Sequence, residues 1–388
     1  YQTAWLKCHY PAEFMSAVMS SEIDNTDKLL SLRDECKRMG LTVRAPNVGE
    51  GRLHFSVNKE GHIVYGLGGI KGLGEGPIDD LIAARTERSF DDLFDLCSRT
   101  DPRKVNRRAL EALIKSGALD ELGADRAVLM SALDDGLRAA EQSAANEAAG
   151  MGDLFGEAVP SSEGGDPYRD HRRARSWTLR DVLAGEKESL GSFLSGHPMD
   201  EFEQEVRKFS PRCIRELTTG SKQWVAGLIV DVRLVKTQRG TMAVLQLDDG
   251  TGQIEATAYS EVYETHRELL IKDQIVLADG RLQVDDFRGQ LSLRAKSFTT
   301  LEMARTSRVR ELKLELHADA IQGGVSAELK RAFSGSNGEC PVVVQYRQPA
   351  GSAIVRLGDC WRVTPTDTLL DQLKEIIGQE AVEVIYER

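Results

Sequence analysis

No run of apolar residues in this chain is long enough to span a bilayer as a helix, so no membrane-crossing segment is expected. Six cysteines are scattered without a CxxC pair, which argues against a zinc ribbon or a disulfide framework and fits a reducing, cytoplasmic setting. Histidines number 7, and none stands in HxH or HExxH spacing. GxSxG is missing as well, so the usual hydrolase signatures have no foothold. Aromatic residues make up only 6%, which leaves few rings for stacking on bases. A basic excess is lacking too: 50 Lys and Arg face 61 Asp and Glu, a net charge of −11.

That acidity is unevenly spread. Between Asp120 and Glu163 ten acidic residues face two basic ones, Arg126 and Arg138, whereas from Lys59 to Leu110 the count is nine against nine. The stretch that carries the strongest motif is therefore neutral, and any nucleic-acid affinity should be modest and salt-sensitive.

The motif is Lys71-Gly72-Leu73-Gly74-Glu75-Gly76, led in by Ile70 and followed by Pro77 and the apolar beat Ile78, Leu81, Ile82. Its glycines permit positive φ and close approach of another surface, and Pro77 suits a first helical turn. The spacing matches neither GxGxxG after a strand nor GxxxxGK[ST]. It predicts a helix-hairpin-helix whose second helix opens at the hairpin and offers free N–H groups to an anion such as a DNA backbone phosphate. The competing reading is a glycine-rich connector with no ligand. Further on, Asn106 caps an amphipathic helix with Leu110, Leu113 and Ile114 on its apolar side. Arg103, Lys104, Arg107 and Arg108 stand at its entry, either as a solvated face or as phosphate contacts.

Residues 1 to about 45 read as helices, with short strands at Leu41–Val43, Leu53–Val57 and His62–Tyr65. A long alanine-rich helix from Arg126 to Glu147 leads into a Gly, Ser, Glu and Pro-rich linker around Gly150–Asp166. Leu154 and Phe155 are out of place in such a segment unless they pack on this chain's own surface or fill a partner's pocket. Leu194-Ser195-Gly196-His197-Pro198 reads as a helix end, and His197 as a turn residue. Strands at Trp224–Val235, Thr241–Leu247, Gly252–Tyr259, Gln274–Val284 and Gln290–Phe298, with a helix at Glu261–Leu270 after the third, are in OB-fold order. Arg233, Lys236, Arg239, Phe287, Arg288 and Arg294 are its candidates for single-strand contact; a protein-binding spacer is the other reading. From Arg308 to Arg388 the pattern is a small α+β unit with no catalytic constellation.

Taken in order, these features resemble the C-terminal part of the alpha subunit of bacterial DNA polymerase III, a C-family polymerase. Tyr1-Gln2-Thr3-Ala4-Trp5-Leu6-Lys7, His9–Phe14, Asn106–Ala118 and Leu194–Pro198 carry the resemblance alongside the hairpin. The chain does not begin with Met, and its first residues read as mid-helix, so a piece of a larger protein is expected. The resemblance implies a multidomain α+β architecture. The end of the polymerase fingers would occupy residues 1–57, a helix-hairpin-helix DNA-binding domain 58–148 and a linker with a sliding-clamp motif 149–168. A helical connector would follow at 169–222, a five-stranded OB-fold barrel at 223–302 and a domain docking the clamp-loader tau subunit at 307–388.

The family's clamp motif is Gln-x-x-Leu-Phe or Gln-x-Asp-Leu-Phe. Asp153, Leu154 and Phe155 match, but Met151 stands where glutamine is expected, and losing that amide's hydrogen bond would cost about 1 kcal/mol. The polymerase chemistry that the resemblance implies uses Mg²⁺ on palm carboxylates. No such set occurs here, so this stretch is expected to hold no metal, cofactor or catalytic residue and to be inactive alone. Two other readings compete with it: an autonomous repair or recombination factor with the same two modules, and a hydrolase using His171 or His197.

Overall fold

Side-chain caps open many of the helices. In the first part of the chain, α1 (Gln2–His9) and α2 (Pro11–Ser21) precede α3 (Thr26–Arg38), where Asn25 accepts the Lys28 N–H at 3.1 Å. Three two-residue strands, β1 (Val43–Arg44), β2 (Ser56–Val57) and β3 (Ile63–Val64), form a small sheet in the order β1-β3-β2. A single 3₁₀ turn, Leu67–Gly69, leads to α4 (Glu75–Glu87). Then come α5 (Leu93–Arg99), α6 (Arg107–Lys115), α7 (Arg126–Ala148) and α8 (Leu179–Leu190). Asn106 caps α6 by accepting the Ala109 N–H at 3.2 Å, and Thr178 and Asp181 form a reciprocal capping box on α8. The protein is seen here as a computed structural model that describes residues 1–148, 166–219, 222–238, 240–284, 289–317, 324–349 and 351–386.

The chain divides into two units, Tyr1–Pro198 and Met199–Arg388. One core runs through the first unit, from Met15 and Met19 by way of Ile63 and Leu67 to Leu113 and Leu133. Each such fully buried aliphatic side chain contributes about 1.5–3 kcal/mol. The stretches 1–57 and 58–148, expected as separate bodies, therefore share one interior. The expected connector 169–222 is likewise divided, since the unit boundary falls after Pro198. Tyr168 is the reason its first part stays with the first unit. Its ring is buried beside Phe94, it accepts the Leu93 N–H at 2.8 Å and it donates to the Leu122 carbonyl at 3.3 Å. Burial pushes its phenol up to about 12.

Leu194–Pro198 does not end a helix; α8 stops at Leu190 with Gly191 in the left-handed region. The segment is instead held by Glu186, which is fully buried. Its carboxylate accepts the Leu194 N–H at 2.6 Å, the Ser195 N–H at 3.0 Å and the Ser195 hydroxyl, and pairs with Arg126 at 3.2 Å. Arg126 in turn reaches Asp120 at 2.8 Å, so the buried charge is paired and hydrogen-bonded on every side.

The second unit opens with α9 (Glu203–Phe209) and a closed five-stranded barrel. Its strands are β4 (Lys222–Thr237), β5 (Gly240–Asp248), β6 (Gln253–Ala258), β7 (Ile275–Val284) and β8 (Leu291–Thr299). Their order is β4-β5-β6-β8-β7, with β6 and β8 parallel and α10 (Ser260–His266) between the third and fourth strands. That is the OB topology expected from the strand spacing. Leu245, Leu247, Ile254, Val276 and Leu293 alternate into its interior.

After the barrel come α11 (Leu301–Arg308), β9 (Val309–His317), α12 (Val325–Phe333), β10 (Asn337–Cys340), β11 (Val342–Gln348), β12 (Gly351–Arg356), α13 (Asp367–Ile377) and β13 (Val382–Tyr386). A mixed sheet, β12-β11-β9-β13, is packed by α12 and α13 around Leu312, Leu314, Val342 and Leu373. A 3₁₀ turn, Asp359–Trp361, is followed by isolated bridges from Val363 to Asn337 and Cys340. One buried cation fastens this domain to its neighbours. Arg305 of α11 is 0% exposed and holds Glu205 of α9 at 2.7 and 2.9 Å, Asp367 at the start of α13 at 2.8 Å and the Pro365 carbonyl at 2.9 Å. Tyr386 of β13 donates its hydroxyl to the same Glu205.

Candidate nucleic-acid interface

The hairpin sits between the 3₁₀ turn at Leu67–Gly69 and α4. Its first limb is that single turn, not a full helix. A Cβ at Gly66 or Gly68 would lie within 2.9 Å of backbone at Leu53–Phe55, so this backbone is pressed against the segment that leads into β2. Gly72 takes φ +88°, which reverses the chain at little cost only for glycine. Gly74 then takes the N-cap position of α4 without a side-chain acceptor. As a result the N–H groups of Gly72, Gly74, Glu75 and Gly76 have no hydrogen-bond partner among the described residues, and all four residues are exposed. These donors lie at the positive end of a helix of thirteen residues.

Not every residue of the motif is available to a ligand. Leu73 is 5% exposed and its N–H is taken by the Ile70 carbonyl at 3.1 Å, so it anchors the hairpin from below. The Lys71 backbone N–H bonds the Ser189 carbonyl at 2.7 Å, tying the hairpin to the end of α8. Its ammonium is exposed and has no ion-pair partner among the described residues. Glu75 brings a carboxylate to the same helix end, which stabilises the helix but opposes an incoming anion.

The four cations at the entry of α6 separate into two pairs. Lys104 is held by Asp80 at 3.1 Å, and that hydrogen bond keeps its ammonium above the usual range. Arg107 is held by Glu111 at 2.8 Å and by Asp134, with the Glu111 hydrogen bond as the larger cause of its raised pKa. Arg103 and Arg108 are exposed with no acidic partner among the described residues. Arg108 reaches the hairpin itself: its Nε lies 3.5 Å from where a Cβ on Gly72 would stand. The fold therefore gathers Arg108 and four free amides at one surface, from segments separated in sequence, while the Lys71 ammonium lies against Gly191 at the end of α8. Nothing in the spacing of Arg108 and Gly72 marked this meeting; only the folded helix pair makes it.

On the barrel, the outward side of β5 and β6 carries an open cleft of about 460 Å³ lined by Arg233, Gln246, Gln253, Glu255 and Ser292. Arg233 is engaged there with Glu255 at 3.2 Å and Asp231 at 3.4 Å. Lys236 is exposed near the tip of the β4–β5 hairpin, beside exposed Leu234 and Val235. Arg294 lies over the Tyr259 ring at 4.7 Å, a cation–π pair on the barrel surface. Arg239, Phe287 and Arg288 lie outside the described residues, as do Met151, Asp153, Leu154 and Phe155.

His171 has neighbours that could suggest a nucleophilic triad: Ser131 Oγ at 3.0 Å from Nδ1 and Asp135 Oδ2 at 3.0 Å from Nε2. Ser131 and Asp135 are one turn apart inside α7, where backbone amides are committed to helical hydrogen bonds. No oxyanion donors are left beside the hydroxyl, and the trio serves to fasten the segment after Asp166 onto α7. No cluster of three or more His, Cys, Asp or Glu among the described residues could hold a metal ion, so no ligand set for Mg²⁺ is found there. No helix of the described residues is long and apolar enough to cross a membrane.

Comparison with known proteins agrees with this geometry. Residues 40–129 match the model of the helix-hairpin-helix motif, 223–301 that of the OB-fold nucleic acid binding domain, and 329–378 that of the DNA polymerase III subunit alpha C-terminal domain. DNA polymerase III subunit alpha of Haemophilus influenzae is 43% identical over 393 residues, with 100% of this chain aligned. The chain belongs to the DNA polymerase III subunit alpha family. The Pseudomonas aeruginosa and Escherichia coli K12 subunits are 42% and 40% identical, again across 100% of the chain. The chain spans 34% of the length of each of these relatives and corresponds to a C-terminal part of them.

Proposed function

We propose that the chain is the DNA- and partner-holding part of a replicative DNA polymerase, and that residues elsewhere in a longer protein carry out template-directed synthesis. The observation that supports this most is the hairpin: four unpartnered amides at a helix N-terminus, flanked by the free cation Arg108. Such a surface suits a backbone phosphate and reads no base edge, which is what a sequence-independent polymerase needs. Under this reading Arg103 adds a second phosphate contact. The barrel cleft beside Arg233 and the Arg294–Tyr259 pair take single-stranded template.

Leu154 and Phe155, with Asp153, dock in the sliding clamp, more weakly for want of a glutamine at Met151. The last domain binds the clamp-loader tau subunit. Mg²⁺ and the nucleotidyl-transfer carboxylates belong to the palm, and the chain by itself makes no phosphodiester bond. Calorimetry of this chain with the sliding clamp, beside a Leu154→Ala/Phe155→Ala double variant, tests the partner half of the proposal. Binding lost only in the variant supports it; equal binding by both places the clamp contact elsewhere.

A further inference from the structure

The sheet of the last domain ends in a strand that no described residue covers. β12 pairs with β11 on one side, from Val343↔Arg356 to Gln348↔Gly351, and is the terminal strand in the order β12-β11-β9-β13. All six of its residues are exposed. The Leu357 N–H donates to the Val342 carbonyl at 2.9 Å, which fixes the alternation of the ladder. Residues 351, 353 and 355 turn their backbone groups toward β11, and Ser352, Ile354 and Arg356 turn theirs outward. These outward N–H and C=O groups have no partner among the described residues. Natural edge strands are usually blunted by proline, a bulge, lysine or extreme shortness. β12 has no proline and pairs with β11 in unbroken register over six residues. It also presents Ile354 at 73% exposure and Val355 at 50% on opposite faces.

We propose that β12 is a docking edge that takes an extended segment of a partner protein as an added strand. Charge complementarity describes the occupant. Arg356 shares one face with Ile354 at this edge and is approached only at 3.9 Å by the more buried Glu311 of β9, whereas Arg347 on β11 is taken by Glu315 at 2.9 Å. The exposed charge at the edge is thus positive. A fitting segment carries a carboxylate beside Arg356 and apolar side chains beside Ile354 and Val355. The ladder supplies main-chain hydrogen bonds from three residues, and the side chains supply selection. This deepens the clamp-loader role of the last domain and rests on that reading.

The experiment measures binding of the clamp-loader tau subunit to the intact chain, to Ile354→Pro and to Ile354→Lys, with amide hydrogen exchange on the complex. Because the Ile354 N–H points away from β11, proline there leaves the β11–β12 ladder whole and removes an outward donor. Expected are a loss of at least about tenfold for Ile354→Pro, a smaller loss for Ile354→Lys and new protection at Ser352, Ile354 and Arg356. Protection of those three amides supports strand addition even if Ile354→Pro misfolds. Tight binding with unchanged exchange at these amides overturns the edge while sparing the clamp-loader reading. No binding by the intact chain overturns both. Self-association of the intact chain, abolished by Ile354→Pro, would assign the edge to a second copy and overturn the partner-segment occupant.

Discussion

Replacing Gly76 with alanine should raise stability and weaken DNA binding together. Gly76 is the second residue of α4, exposed, with ordinary negative φ and nothing within 4 Å of an added Cβ. Inside the protein an alanine methyl therefore meets no obstacle. Glycine in a helix is worse than alanine by about 0.5–1 kcal/mol, chiefly through unfolded-chain entropy. For a unit of this size that is a gain of about 1–4 °C in melting temperature. Against a phosphate the same methyl stands in the way of the amide nest. A hydrogen bond to a charged group is worth about 1.5–3 kcal/mol, so losing one weakens Kd by roughly 10- to 150-fold. Fluorescence anisotropy with a labelled duplex at fixed salt measures the second effect, and calorimetry of the free protein the first. No cation is removed, so the slope of log Kd against log salt should stay unchanged. A raised melting temperature with an unaltered Kd would refute the phosphate reading of the hairpin. A lowered melting temperature would refute the reading of Gly76 as sterically open.

Arg108→Gln should leave stability within about 0.5 kcal/mol, since the side chain is exposed and unpaired, and should reduce the salt slope by about 0.9; Arg107→Gln, already neutralised by Glu111 and Asp134, should change it less. Tyr168→Phe strands the Leu93 N–H and should cost about 1–3 kcal/mol in denaturant unfolding. Because the Tyr168 phenol is raised to about 12 in the fold, its contribution is complete below pH 10 and is lost as pH rises from 10 toward 12; stability of the wild type should fall more steeply across that window than that of the Phe variant. Arg305→Met removes the cation that Glu205 and Asp367 share and should destabilise the second unit by about 3–5 kcal/mol. Tyr386→Phe, which leaves Arg305 on Glu205, should cost markedly less.

Much of this architecture could be read in advance because its signals are local. Asn25, Asn106 and Thr366 each announce a helix start by an oxygen one step outside it, and the barrel strands alternate apolar and polar residues between glycine-rich turns. What escaped the reading depends on burial of charge. Glu186, Arg126 and Arg305 look like surface residues by type, yet each lies in the interior because its partners arrive from distant segments. The helices α9 and α11 are short, at seven and eight residues, too few to establish a period. The hairpin glycines were legible as a motif, whereas the sorting of four neighbouring cations into paired and free was not, since Asp80, Asp134 and Glu111 had to be placed first.

Tyr168 gives the segment before it a second mooring. α7 contributes Ala140 to the same core that receives Tyr168, so the chain is tied to the first unit both before and after residues 149–165. At no more than about 3.6 Å per residue, their midpoint can stray only about 30 Å from the two moorings. On the proposed reading, a clamp caught by Leu154 and Phe155 would therefore stay within that reach of the unit that carries the hairpin. On that same reading the sliding ring and the grip on the duplex would share one carriage, their local concentration for each other set by the number of residues between the two ties.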